Sequence, residues 1–349
     1  MTTTTDNLPR AQQIRAEYNT LRQCHPELPV RDAAHALGHS EMELIAAGAG
    51  GITPTPLGSR PQQVFHSLSS LGRAMALTRN DWCVQERHGC YEDIHAGSRT
   101  GCVLGKDLTL RLRFENWGSA WAVNDNGQCS IQFFDSGGTA VHKVVCTENT
   151  NMRGYLDVVR QFAVACPCWP TIRPVENTTA SLSTSPRILR SHWMKMDNGD
   201  AFYSLLQNLK ISRVTALRTV GSDLAQQIDN VIVEHMLKDV IRQRMPFVCS
   251  VRNHGVIQTH CGAISRLERN GSWFSVLGDD FELNIDTSAI TQTWIVHRPA
   301  GSDWTTSFEC FAANGDQVVQ FSGANRPGDP NLPSWHNLMT AFCPEPLAA

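Results

Sequence analysis

Thirteen histidines and twelve cysteines are the residue types with the widest chemical reach in this 349-residue chain. Imidazole and thiolate ligate transition metals, carry protons and act as nucleophiles. Their spacing argues against a metal centre. The pairs Cys83/Cys90 and Cys166-Pro-Cys168 come nearest to a metal pattern, yet neither is a Cys-x-x-Cys with a matching second half. Scattered through a long chain without an export signal, the cysteines read as reduced, mostly buried thiols. His142 and His260 fall on predicted strands, where a lone histidine is a surface or satisfied core residue, and His88 and His254 sit in turn-like contexts. No Ser/His/Asp signature and no phosphate-binding glycine loop is present.

The elements that must position any site fall into two sets. Hydrophobic residues make up 41% and charged residues 18%, the balance of a globular protein, and the length suits two domains better than one core. A net charge of −3 gives no basic field for neutralising phosphates, which makes a nucleic-acid partner unlikely on charge grounds. The start, Met1 to Arg10, lacks a charged-then-apolar signal pattern, and no stretch approaches ~18 apolar residues, so the expectation is a cytoplasmic protein without membrane insertion. Helices are predicted over Ala11–Leu21, Arg31–Gly38 and Ser40–Ala47, with Gly38 as a stop and Ser40 as an N-cap. The last two superficially resemble a helix-turn-helix, but the second helix is not basic. β-type runs follow from Arg79, then a helix near Tyr155–Val164, a Pro/Thr/Ser-rich stretch from Pro167 to Pro186, and helices over Ala201–Asn208 and Ser222–Arg244.

Internal repetition is the strongest signal. Arg79-Asn80 recurs 173 positions on as Arg252-Asn253, and at that offset Leu110, Leu112, Trp121 and Val123 match Leu283, Ile285, Trp294 and Val296. Ser130-Ile-Gln-Phe-Phe134 returns as Ser307-Phe-Glu-Cys-Phe311 at an offset of 177, so a four-residue insertion is placed near Pro299–Asp303. The fold class expected is α+β, an internal duplication of a large antiparallel sheet unit with flanking helices. The division is a helical segment over 1–75, a first repeat over 76–166, a linker over 167–190, a helical segment over 191–244 and a second repeat over 245–345.

An ordered series of segments resembles the bacterial HemS/ChuS family of haemin-degrading and haem-trafficking proteins. The series is Arg31-Asp-Ala-Ala, Leu37-Gly38, Ser40-Glu41, Thr78-Arg-Asn80, Ser130-Ile-Gln-Phe-Phe-Asp135, Ala140-Val-His-Lys143, Gly262, Trp273-Phe274, Arg298-Pro299 and Asn331-Leu-Pro-x-Trp335. The resemblance implies a duplicated fold that binds one haem, haem b, in a cleft between its halves. It implies an axial histidine in a segment Trp-x-x-Met/Leu-x-Asp-x-His-x-Phe-Phe. Here that segment reads Trp193-Met-Lys-Met196-Asp-Asn-Gly-Asp200-Ala-Phe202-Tyr203, with Asp200 at the histidine position. A carboxylate is a harder and less usual ligand for haem iron than imidazole. His192, Met194 and Met196 are nearby donors, and His192 is the first candidate to replace the missing ligand.

The resemblance also implies a distal arginine, here Arg111, which in an oxygen-activating reaction would stabilise iron-bound oxygen and count as catalytic. For the propionates it implies Arg213 and Gln320, with Arg298 where a lysine is usual, and Arg326 one position beyond a family arginine. Arginine suits carboxylates through its planar fork. A family tyrosine is replaced by Ser322. The function implied is haem binding in bacterial haem uptake, with haem degradation or iron release fed by an external electron donor. The alternatives are a non-enzymatic carrier that exchanges haem with an importer or a haem oxygenase, and a member that has lost axial ligation and binds another ligand.

Overall fold

A computed structural model describes residues 4–58, 60–164, 169–173, 184–196, 199–301, 303–324 and 332–348. The chain forms two units. The first comprises Met1–Arg79, Glu86–Glu176 and Asn253–Gln258, and the second Asn80–Gln85, Asn177–Arg252 and Thr259–Ala349. The strands pair antiparallel and build two large sheets with helices on their faces, the expected α+β duplication. Among the described residues no helix is long and apolar enough to cross a membrane.

The first unit opens with α1 (Thr4–Cys24), α2 (Val30–Ala36) and α3 (Glu41–Ala47), followed by β1 (Thr53–Pro56) and α4 (Pro61–His66). Then come β2 (Arg73–Arg79), β3 (Cys83–Cys90), β4 (Ile94–Ala96), β5 (Thr100–Leu104), β6 (Thr109–Arg113), β7 (Trp117–Asp125), β8 (Gln128–Asp135), β9 (Ala140–Val145) and α5 (Met152–Phe162). Its main run of strands is ordered β1-β7-β8-β9-β2, with β4-β5-β6 as a separate meander.

The second unit repeats this plan. It holds α6 (Pro186–Trp193), α7 (Gly199–Leu209), α8 (Arg213–Val220), β10 (Ala225–Ile228), α9 (Ile232–Arg242), β11 (Phe247–Arg252) and β12 (Val256–Gly262), whose first residues belong to the first unit. After these come β13 (Arg266–Asn270), β14 (Trp273–Gly278), β15 (Phe281–Asp286), β16 (Gln292–Ala300), β17 (Asp303–Phe311), β18 (Gln317–Gly323) and α10 (Leu332–Phe342). Its main run is β10-β16-β17-β18-β11, beside the meander β13-β14-β15.

The repetition reaches further than the strands. Ser40 accepts the Glu43 N–H at the start of α3 and completes a capping box, and Ser212 accepts the Thr215 N–H at the start of α8. Before each cap the chain turns through a left-handed residue, Gly38 at φ 70° and Lys210 at φ 50°. Each capped helix then lays apolar residues on equivalent sheet positions. Met42 and Ile45 of α3 pack with Trp121, Val123 and Phe134, and Val214 and Leu217 of α8 with Trp294, Val296 and Phe311.

The four-residue insertion has a clear structural form. Trp121 faces Gln132 across β7 and β8, and its counterpart Trp294 faces Glu309 across β16 and β17. The added residues therefore lengthen the second hairpin by two residues on each strand: the extra ladder is Pro299 opposite Trp304 and Ala300 opposite Asp303, just beyond Arg298 opposite Thr305, which stands where the first copy pairs Asp125 with Gln128.

The repeated Arg-Asn pair also finds its reason. Asn80 Nδ2 donates to the Val318 carbonyl at 2.9 Å, and Asn253 Nδ2 to the Val141 carbonyl at 2.8 Å. Each asparagine so fastens a short segment, Asn80–Gln85 or Asn253–Gln258, into the unit to which it does not belong by sequence.

Two readings of local structure are corrected. The helix expected over Ser222–Arg244 is shorter: Ala225–Ile228 is β10, paired with β16, and α9 begins at Ile232. The sheet edge beside β16 takes these residues, so pairing overrides a weak helical pattern. His88 lies on β3 and not in a turn, whereas His254 does lie in the turn between β11 and β12. Most of the Pro167–Pro186 stretch is outside the described residues.

Candidate functional site

The first side chain of α8, Arg213, points at the sheet of the second unit. Its Nε and Nη2 donate to the two carboxylate oxygens of Glu309 on β17, both at 2.6 Å, and Nη2 reaches Gln320 Oε1 on β18 at 3.3 Å. This fork is the strong geometry for an arginine–carboxylate pair. Glu309 is fully buried and also accepts from Ser307 Oγ at 2.8 Å and Gln317 Nε2 at 3.2 Å. Burial works to raise its pKa, but the charge and hydrogen bonds of Arg213, with Arg298 nearby, bring it below the usual carboxylate range.

Arg298 enters from the extended hairpin. It is 8% exposed, and its buried Nε has no hydrogen-bond partner among the described residues. Burial first, and the neighbouring Arg213 charge second, bring its pKa down to about 10, with Glu309 acting the other way. It remains a cation at neutral pH. The ring of Phe202, on α7, lies 4.5 Å from the Arg213 guanidinium carbon and 5.0 Å from that of Arg298. Phe202 is held edge-on by Trp193 at 4.9 Å, and Trp193 Nε1 donates to the His297 carbonyl at 3.0 Å.

The structure thus gathers Arg213, Arg298 and Gln320 in one place. The buried guanidinium of Arg298 and the partly buried one of Arg213 stand against one buried carboxylate, which gives both oxygens to Arg213. What remains is a desolvated positive charge with an N–H to offer, an arrangement suited to accepting a further carboxylate. Glu309 and Phe202 were not singled out from the sequence. Glu309 stands where the first repeat has Gln132, and that change of type was the available signal.

The other expected residues lie elsewhere or out of view. Asp200 is in the first turn of α7, two residues before Phe202, and its side chain is outside the described set; Arg326 lies outside it altogether. His192 is exposed in the last turn of α6, and no hydrogen bond joins it to the arginine pair among the described residues. Met194 is exposed, whereas Met196 packs with Trp193 and Phe202 in the core. Arg111 is exposed on β6 of the first unit, opposite Cys102.

His142 proves to be a satisfied core residue. Its Nδ1 pairs with Thr78 Oγ1 at 2.8 Å and its Nε2 with the Tyr91 hydroxyl at 2.7 Å, and burial pulls its pKa down to about 3. His260 is buried and stacks on Phe281 with centroids 3.7 Å apart. Among the described residues there is no three-residue metal-binding cluster, and the described cysteines are free thiols. Their burial is mixed: Cys83, Cys146, Cys249 and Cys310 are buried, and Cys24 and Cys261 are exposed.

The first unit has its own buried ion cluster at the matching place. Glu41, first residue of α3, accepts from Lys143 Nζ at 2.6 Å and from Arg79. Burial would raise its pKa, but the two cations bring it down to about 2. Gln132, the counterpart of Glu309, is buried and bonds Ser130 Oγ through Nε2, while its Oε1 has no partner among the described residues.

A duplicated α+β protein with two neighbouring arginines beside one buried glutamate in its second copy is the class that fold and site define. The chain matches the model of the haemin-degrading HemS.ChuX domain twice, over residues 38–162 and 210–342, and it belongs to that family. It is 31% identical over 331 residues to the hemin transport protein HmuS of Yersinia pestis, covering 93% of this chain and 96% of the relative. It superposes on holo-PhuS, a heme-binding protein of Pseudomonas aeruginosa, with a TM-score of 0.90 and 31% identity, over 95% of this chain and 99% of the other. The Escherichia coli heme-degrading enzyme ChuS has the same fold, with a TM-score of 0.89 at 23% identity, over 96% of this chain and 100% of ChuS.

Proposed function

We propose that this protein binds haem, haem b, as a cytoplasmic component of bacterial haem uptake, with the Arg213–Arg298 pair receiving a propionate. The observation that carries the reading is Arg298, a buried cation whose Nε has no partner among the described residues while Glu309 is committed to Arg213. A propionate oxygen is the acceptor such a group lacks. Gln320 holds the Arg213 fork from the side, and Phe202 presents its ring to both guanidiniums, leaving the Arg298 Nε–H for the ligand. Arg326 would add a further cation. The haemin transport role of HmuS and the heme binding of PhuS support the same ligand.

Transport is favoured over degradation by one residue. Asp200 stands where the resemblance places an axial histidine, and weak iron ligation suits release to an acceptor better than controlled oxygen activation. In this reading the protein takes haem from an importer and passes it to a haem oxygenase. Degradation, which the family's description favours, would need an external electron donor and would give Arg111 the distal role.

Haemin titration followed by Soret absorbance tests the reading. The expected result is saturation at one equivalent, with Arg298→Ala weakening binding at least tenfold and Asp200→His strengthening it. His192→Ala reports whether that residue ligates the iron. Unchanged affinity in Arg298→Ala and Arg213→Ala would remove this site from haem binding. Conversion of bound haem to a tetrapyrrole product on adding reductant and oxygen would overturn the transport preference.

A further inference from the structure

The β8–β9 hairpin sets Ser130 opposite Val145, and one step further the Cys146 N–H donates to the Cys129 carbonyl at 2.9 Å. Cys129 and Cys146 are therefore directly opposed on neighbouring antiparallel strands, in a hydrogen-bonded position. Opposed residues point to the same face, and in that position their Cα atoms are about 5.5 Å apart. A disulfide needs Cα atoms about 4.4–6.8 Å apart, most often near 5.5–6 Å. Both are free thiols, and they pack in one apolar cluster that also contains Tyr155.

We infer that Cys129 and Cys146 are a redox-active pair that closes into a cross-strand disulfide by reducing a hydroperoxide. Their exposure divides the labour. Cys146 is 6% exposed, and burial, with the neighbouring Cys129, pushes its thiol up to about 12, so it stays protonated and out of reach of reagents. Cys129 is half-buried and meets the oxidant first. Its thiolate attacks the peroxide, the O–O bond breaks, and Cys129 becomes a sulfenic acid as the alcohol or water leaves. The Cys146 sulfur then attacks the Cys129 sulfur. The S–O bond breaks as the S–S bond forms, and the hydroxide departs as water with the proton of Cys146. Two thiols and one hydroperoxide give one disulfide, one alcohol and one water, a balanced two-electron exchange.

Among the described residues, a second cluster of thiols lacks this access. Cys83, Cys249 and Cys310 are all wholly buried in the core of the second unit. The pair in the first unit is also independent of the haem reading, since it involves neither Arg213 nor Arg298.

Hydrogen peroxide is the probe, added to the full-length protein, followed by alkylation with N-ethylmaleimide and peptide mapping by mass spectrometry. The expected product has lost two alkylation sites, is about 2 Da lighter before alkylation and contains a cross-linked 129/146 peptide that dithiothreitol separates. In Cys146→Ser, Cys129 should run on to sulfinic acid for want of a resolving thiol. In Cys129→Ser, Cys146 should remain alkylatable only after unfolding. Circular dichroism confirms that both variants are folded. Cys129 and Cys146 that both remain thiols while other cysteines are oxidised would overturn the inference. So would sulfinic acid at Cys129 in the natural protein without any cross-link.

Discussion

The starts of α3 and α8 occupy equivalent places in the two repeats, yet their charges are inverted. In the first unit a glutamate on the helix, Glu41, meets two cations on the sheet, Lys143 and Arg79. In the second an arginine on the helix, Arg213, meets a glutamate on the sheet, with Gln320 where the first copy has Lys143. Both clusters hold two cations and one acid. The difference lies in allocation: Glu41 is shared between its cations, whereas Glu309 serves Arg213 and leaves Arg298 without an ion-pair partner among the described residues. One repeat pairs all of its clustered charges, and the other leaves one cation unpaired among the described residues.

That comparison can be broken most sharply at Glu309. Glu309→Leu leaves two guanidiniums buried together and should cost about 3–5 kcal/mol in urea-induced unfolding of the second unit. A loss below about 1 kcal/mol would mean that the arginines reach water and that the site is not desolvated. Glu41→Gln should cost less, about 2–3 kcal/mol, because the amide keeps one oxygen to accept from Lys143 or Arg79, whereas a leucine at 309 accepts nothing.

Acid should act on both units, through different groups. His142 has a folded pKa of about 3 against an ordinary 6.5, so it favours folding fully above 6.5 and progressively less as pH falls towards 3. His297 in the second unit, depressed to about 4 by burial and by His336, acts over the upper part of the same window. Glu41 adds a loss only between about 4.5 and 2. Thermal melts from pH 7 to 4.5 should fall in the natural protein and flatten in His142→Gln for the first unit. An unchanged slope would show that His142 is not the titrating group. The smallest effect is expected at Gln132→Leu, which removes an unpartnered buried carbonyl and should be neutral or stabilising by up to about 1 kcal/mol.

The sequence made the repeat legible because strand positions such as Trp121/Trp294 and Val123/Val296 are core residues at fixed register, and the change of offset from 173 to 177 located the hairpin extension just beyond Arg298. The helical part of the duplication was hidden. Helix α3 and helix α8 share little beyond their capping serines, since many different apolar sets can cover one sheet face. Arg213, Arg298 and Gln320 were legible through family resemblance alone. Glu309 was not, because a glutamate on a strand reads as exposed until an arginine from another element is known to cover it. The short strand β10 was lost to a helical pattern that only its pairing with β16 corrects.

The exchanged segments carry one more lesson. A polypeptide ending at residue 176 would keep Asn80–Gln85, which complete the other unit, and would lack Asn253–Gln258, which complete its own. Neither continuous half of the sequence contains the whole of one unit. Two copies of a single ancestral repeat could each have lent the other this segment, as in a swapped homodimer, and fusing them into one chain would have fixed the loan permanently.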